Sequence, residues 1–127
     1  MGQQISPEFA DLLSPIVETR ITAAKLLVGT KRNDARSALG EALRDRNYSV
    51  RRAAAESLQN VTEKDIIDAL VVGLDDWNPH VRVACAHALK GVLEEHAVRA
   101  LYEGFRDENA LVRAACANAI GALPKAA

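Results

Sequence analysis

Apolar residues recur along this chain at the spacing of an amphipathic α-helix. After Asp76 they follow the order i, i+3, i+4, i+7, i+8 and i+11, which places all of them on one face of a helix. These positions are Val81, Ala84, Cys85, Ala88, Leu89 and Val92. A second stripe of the same kind lies before Asp76, at Ile66, Ile67, Leu70, Val71 and Leu74. The pattern predicts two successive helices, which we name the A helix and the B helix.

The pair of helices is repeated along the chain with a fixed period. Asp45, Asp76 and Asp107 are each 31 residues apart, and each begins the sequence Asp-x-Asn-x-x-Val-Arg. One further step toward the N-terminus places Arg51 on Arg20, which indicates a degenerate first copy. A period of this length is typical of helical repeat proteins, in which each pair of helices packs only against its neighbours.

Residues at the predicted helix ends agree with this division. A short polar side chain precedes each of three B helices, where it can accept a first-turn N–H group; these are Asn47, Asn78 and Asn109. Residues that tolerate the left-handed conformation follow the first three B helices, as is usual where a helix ends; these are Gly29, Asn60 and Gly91.

We therefore predict an all-α fold, a right-handed α-solenoid of about four helical hairpins in one domain spanning residues 1–127. The hairpins cover about residues 6–29, 33–60, 63–91 and 94–123.

Charge and hydropathy narrow the classes of partner. The chain has 16 basic and 17 acidic residues, so it lacks the positive field that binding to nucleic acid normally needs. No apolar run approaches the roughly 18 to 20 residues of a membrane span, and the first residues do not form a secretion signal. We therefore expect a cytoplasmic protein with neither nucleic acid nor a membrane as its partner.

Hairpins of this length, with Asp-x-Asn-x-x-Val-Arg leading into the second helix, resemble the HEAT-like repeats first named for phycobilisome lyases. The resemblance covers about residues 6 to 123. It implies an open stack of hairpins, and the group includes scaffolds, bilin lyase subunits and a di-iron hydroxylase of hypusine precursors. The fold alone therefore does not select a function.

The resemblance also implies that the aspartate and arginine of each motif form a polar ladder between successive hairpins. Ser14 stands where the first copy would carry the aspartate. The residues of this structural ladder are Arg20, Asp45, Arg51, Asp76, Arg82, Asp107 and Arg113.

Residues that could carry catalysis are scarce. A di-iron member of the group needs repeated His-Glu dipeptides, whereas His80, His87 and His96 are followed by Val, Ala and Ala. Cys85 and Cys116 stand at a register that is alanine in the other copies, which indicates small core residues rather than nucleophiles. We therefore predict that the chain is not an enzyme and has no catalytic residue, no cofactor and no metal site.

The outward positions of the B helices are the candidate binding surface, because extended concave faces are what helical stacks use to bind. The central contacts would be Arg52, Glu56, Gln59, Val83, His87 and Lys90. The leading hypothesis is a scaffold or adaptor that binds a protein or peptide along this face. The alternatives are an accessory subunit of an enzyme such as a bilin lyase, or an ordinary solvated helix face with no partner.

Two further features bear on association. Trp77 lies in an A-to-B loop, where it would either anchor an interface or cap the hairpin by packing on the next loop. Small apolar residues on the last B helix would have no neighbour, which predicts weak self-association; these are Ala110, Ala114 and Ala117.

Overall fold

The helices of this protein come in pairs joined by short loops. A computed structural model describes residues 7–124. Its elements are a 3-10 helix at Pro7–Leu13, α1 at Val17–Leu26, α2 at Asn33–Ala42, α3 at Tyr48–Ser57, α4 at Lys64–Gly73, α5 at Pro79–Ala88, α6 at Glu95–Glu103, a 3-10 turn at Gly104–Arg106, and α7 at Ala110–Gly121. The B helices are α1, α3, α5 and α7, and the A helices are α2, α4 and α6, with the first 3-10 helix in the place of an A helix. Residues 7–124 contain no strand, and the predicted all-α solenoid is confirmed.

The asparagines before the B helices fix where these helices begin. Oδ1 of Asn47 accepts a hydrogen bond from the backbone N–H of Ser49 at 2.8 Å. Asn78 caps α5 in the same way through His80, and Pro79 occupies the first helical turn, where its missing N–H is not needed. The polar residue of the repeat therefore sets the first turn of each of these helices.

The B helices α1, α3 and α5 each end shortly before a left-handed residue. Gly29 has a φ of 71° and Gly91 a φ of 81°, and Asn60 adopts a φ of 51° between them. Glycine reaches this region without a steric penalty, and asparagine is the side chain that tolerates it best. The chain therefore turns at the same point of successive repeats, which brings the next A helix back along the stack.

The B helices pack more closely along the stack than the A helices do. A small residue lies between each pair of neighbouring B helices, and these are Ala24, Ala55 and Ala86, all fully buried. Small side chains allow helix axes to approach. Because the B side of the stack is the more closely packed, the solenoid curves toward it and the B helices line the concave face.

Large aliphatic residues fill the space between the two layers of helices. The fully buried leucines are Leu39, Leu58, Leu70, Leu89 and Leu101, which come from both layers. In the third hairpin the thiol of Cys85 packs directly on the A helix at Gly73, and Cys116 packs in the same way at Gly104 in the fourth. Both cysteines are free and buried, and they act as packing residues.

Candidate binding groove

Arginines of the B helices connect neighbouring hairpins through half-buried ion pairs. Arg51 donates from Nε and Nη2 to the two carboxylate oxygens of Asp76, at 2.8 and 3.0 Å. Its Nη1 donates to the backbone oxygen of Asp45 at 2.8 Å. Arg20 makes the same contacts with the carboxylate of Asp45 and the backbone oxygen of Ser14. The serine of the first copy thus removes no contact from Arg20, because the acceptor at that step is a backbone oxygen.

The ion pair between the third and fourth hairpins repeats this arrangement. Arg82 donates from Nη2 to Oδ1 of Asp107 at 3.2 Å, and its Nε lies 2.9 Å from Oδ2 without the N–H pointing at that oxygen. Arg113 donates from Nη1 to the backbone oxygen of Asp107 at 2.7 Å. Among residues 9–124, whose side chains the structure describes, no carboxylate forms an ion pair with Arg113.

The ladder carboxylates also hold the loops in place. Oδ1 of Asp76 accepts the backbone N–H of Asn78 at 2.9 Å, and Asn78 in turn caps α5. An arginine, an aspartate and an asparagine therefore form one connected polar network at each of the three A-to-B loops that carry the Asp-x-Asn motif. Such a network restricts the positions of the B helices relative to one another, which keeps the concave surface in one shape.

A second cross-hairpin ion pair lies in the A layer and was not anticipated from the sequence. Arg36 of α2 donates from Nε and Nη2 to the carboxylate of Glu63, at 2.6 and 3.1 Å, and from Nη1 to the backbone oxygen of Thr30. The bond from Arg36 holds the pKa of Glu63 at about 2. The sequence feature that could have predicted this ion pair is an arginine on the apolar stripe of an A helix. Later copies carry Ile67 and Val98 at the same position. A buried charge at such a position needs a partner.

The concave face carries a shallow groove of about 680 Å³ between the C-terminal parts of α3 and α5. We call it the B-helix groove and define it by the polar residues that line it, Glu56, Gln59, Asn60, His87 and Lys90. The rest of its lining, which we call the floor, consists mainly of small residues, Ala55, Ala84, Ala88 and Gly91, together with Leu58, and Ala122 after α7 closes one side.

The structure brings together four of the six residues predicted as central contacts. Glu56, Gln59, His87 and Lys90 all line the groove and are exposed. Arg52 and Val83 lie nearer the N-terminal ends of the same two helices, outside the groove.

Arg52 is nevertheless linked to the groove through a side chain. It donates to the carboxylate of Glu56 at 3.1 Å across one helical turn. This ion pair partly neutralises the negative charge of Glu56. Lys90 is then the basic group of the groove.

The groove combines hydrogen-bonding and charged side chains. Gln59 and Asn60 offer amide donors and acceptors, while Glu56 and Lys90 offer opposite charges above an apolar floor. The thiol of Cys85 on α5 is buried, and this burial raises its pKa to about 12. Within residues 7–124 no group of three or more His, Cys, Asp or Glu side chains could hold a metal ion.

Trp77 lies away from the groove, on the loop between α4 and α5. Its side chain is 98% exposed, so it does not pack on the next loop. Of the two roles predicted for it, the hairpin cap is therefore wrong, and an exposed aromatic surface remains.

Comparison with known proteins identifies the repeat. The family model described as HEAT repeats matches residues 6–90 and 67–127. One solved structure that resembles the chain is human deoxyhypusine hydroxylase in complex with glycerol, with a TM-score of 0.76 and 23% sequence identity. The likeness covers 95% of this chain and 43% of the hydroxylase chain. No curated protein matches the sequence.

The comparison corrects one prediction. The prediction that the chain is not an enzyme is wrong. It was made from the residues alone, and human deoxyhypusine hydroxylase, which has this fold over 95% of the chain, is an enzyme. At this level of identity the likeness shows the fold and assigns no activity. As for membranes, no helix within residues 7–124 is long and apolar enough to cross a bilayer.

Proposed function

This chain belongs to the HEAT-repeat family, and from that premise we propose that it binds an extended segment of a partner protein along the B-helix groove. HEAT-type stacks commonly mediate protein interactions through their concave faces. The observation that supports this proposal is the groove itself, in which amide, acidic and basic side chains converge over a floor of mainly small residues.

The geometry suits a peptide backbone better than a bulky folded surface. Ala84 and Ala88 place no large side chain on the floor, so a bound backbone can approach α5 closely. Gln59 and Asn60 stand beside it and can pair with backbone N–H and C=O groups. Lys90 then selects for an acidic side chain in the bound segment, because the acid already in the groove is paired with Arg52.

A display library of random 16-residue peptides, selected against the full chain, supplies the ligand for a test. We expect the selected peptides to contain an acidic residue and to lose about tenfold or more in affinity when Arg52 and Lys90 are both changed to glutamate. Fluorescence anisotropy with a labelled peptide measures the affinity of each variant.

A matched control carries the same charge changes on the A layer. Lys64 and Arg99 are exposed on α4 and α6, and Arg99 forms an i,i+4 pair with Glu95, as Arg52 does with Glu56. The variant K64E/R99E should bind the selected peptides as the parent does. Equal loss in the two double variants would show that net charge controls the affinity, and the groove would then not be the binding site.

Three further expectations accompany this proposal. We propose that residues 1–127 form one domain, that the protein acts in the cytoplasm, and that it self-associates weakly through α7. Cell fractionation tests the second of these, and light scattering over a range of concentrations tests the third.

A further inference from the structure

The loops that join each A helix to its B helix lie side by side along one edge of the stack. Arg20 joins the backbone oxygen of Ser14 in the first loop to the carboxylate of Asp45 in the second. Arg51 joins the backbone oxygen of Asp45 to the carboxylate of Asp76 in the third loop. Residues at one register therefore recur along this edge at about the 8–10 Å spacing of packed helices.

The position that follows each of these loop residues forms a row, which we call the loop edge. It consists of Pro15, Arg46, Trp77 and Glu108, all of which are exposed. Trp77 is 98% exposed although hairpins lie on both sides of it, so its exposure does not come from an end of the stack. Arg82 donates to the backbone oxygen of Trp77 at 3.3 Å. The exposed indole is therefore carried by a loop that is held in place.

A pocket of about 490 Å³ opens on this row between the first and second loops. Its lining consists of Leu13, Ser14, Pro15, Arg20, Asp45 and Arg46. The guanidinium of Arg20 is paired with Asp45, whereas neither Arg46 nor Glu108 forms an ion pair with any side chain of residues 9–124. The loop edge therefore presents an apolar pocket wall, a cation, an aromatic ring and a carboxylate, in that order.

The spacing of the row matches that of a polyproline II helix. This helix has three residues per turn and rises about 3.1 Å per residue, so every third side chain returns to the same face after about 9 Å. In a β-strand every second side chain returns after about 7 Å, which does not keep pace with the hairpins. Segments in the polyproline II conformation bind by packing prolines on exposed aromatic rings, and Trp77 is such a ring.

We propose that the loop edge binds a proline-containing segment of a partner protein in the polyproline II conformation. A proline of the segment packs on Trp77, an acidic residue three positions away pairs with Arg46, and a basic residue three positions away on the other side pairs with Glu108. The charges select this ligand, because the row has a cation on one side of the ring and a carboxylate on the other. The loop edge shares no residue with the B-helix groove.

A display library of random 16-residue peptides without tryptophan supplies the ligand for the test. Each round of selection against the full chain follows depletion on the variant R46E, which removes peptides that bind elsewhere. We expect the surviving peptides to carry an acidic residue, a proline and a basic residue at intervals of three. Their binding should shift the emission of Trp77, the only tryptophan of the chain, to shorter wavelength, because the proline covers the indole.

Variants of the chain then locate the bound peptide. W77A should weaken binding roughly tenfold or more, and E108K roughly threefold, as measured by fluorescence anisotropy. R99E, which changes an exposed arginine of the A layer, and R52E/K90E, which changes the groove, should bind as the parent does. A peptide whose acidic residue is replaced by lysine should bind R46E more tightly than it binds the parent, a gain that a folding defect cannot produce.

Three results would overturn the proposal. They are a selection from which no peptide survives the depletion, surviving peptides without an acidic residue three positions from a proline, and an emission of Trp77 that binding leaves unchanged. Because an arginine and an aromatic ring also hold phosphate and base, a fluorescein-labelled oligo(dT) of 12 nucleotides is tested in parallel. Tighter binding of this oligonucleotide than of any selected peptide, lost in R46E, would make single-stranded nucleic acid the ligand of the loop edge in place of a peptide.

Discussion

Replacing Gly73 with alanine perturbs a close contact between the A and B layers in the third hairpin. The added methyl would fall well inside contact distance of Sγ of Cys85, which is 1% exposed. In a close-packed interior the sulfur or the helices must then shift. Overpacking of this kind costs about 1–3 kcal/mol, a large share of the roughly 5–15 kcal/mol by which a domain is stable.

A second substitution should reverse this cost. Cys85→Ala alone leaves a small cavity and should destabilise by about 1–2 kcal/mol, from lost burial and lost contacts. The double variant G73A/C85A instead reproduces the pair Ala42 and Ala54 that the preceding hairpin carries at these positions. Its stability should lie within about 1 kcal/mol of the parent, which gives a coupling energy of roughly −3 kcal/mol.

Urea unfolding followed by far-UV circular dichroism measures all the variants. The fluorescence of Trp77 is a poor probe, because its side chain is already almost fully exposed in the folded state. Gly121→Ala is the control, since nothing lies within 4 Å of a Cβ at that position in α7, and it should be neutral or stabilise by up to about 1 kcal/mol. A double variant that loses as much as the two single variants together would refute the packing argument.

Three further predictions concern the ion pairs and thiols. Arg51→Gln should lower the free energy of unfolding by about 2–4 kcal/mol, because it leaves the half-buried carboxylate of Asp76 unpaired. Arg113 is exposed, and Arg113→Gln should cost less than about 1 kcal/mol. Urea unfolding compares the two variants. Glu63 has its pKa lowered from 4.5 to about 2 in the folded chain, so its stabilising contribution is present above pH 4.5 and is lost as the pH falls toward 2; E63Q should flatten the fall in stability over that window. Cys85 should not react with a thiol reagent at pH 8 until urea unfolds the chain, because burial raises its pKa to about 12; prompt labelling of the native chain would contradict this.

Part of the candidate site follows from the sequence alone. Helical register places Glu56 and Gln59 on one face of α3, and His87 and Lys90 on the matching face of α5, and all four line the groove. Register cannot predict where along those helices the groove deepens. That depends on how neighbouring helices tilt and on the position of Ala122, so two of the six predicted residues lie outside the groove.

What the sequence determined by itself is the repeat and the local structure within each copy. The 31-residue period, the apolar stripes and the capping asparagines all depend on short-range geometry that a helix imposes on neighbouring residues. Only the tertiary structure decided which side chains of different helices meet. The pairing of Arg36 with Glu63 depends on how one hairpin is set against the next, and the packing of Cys85 on Gly73 depends on how the two helices of one hairpin are set together. Helical periodicity within a single helix specifies neither arrangement.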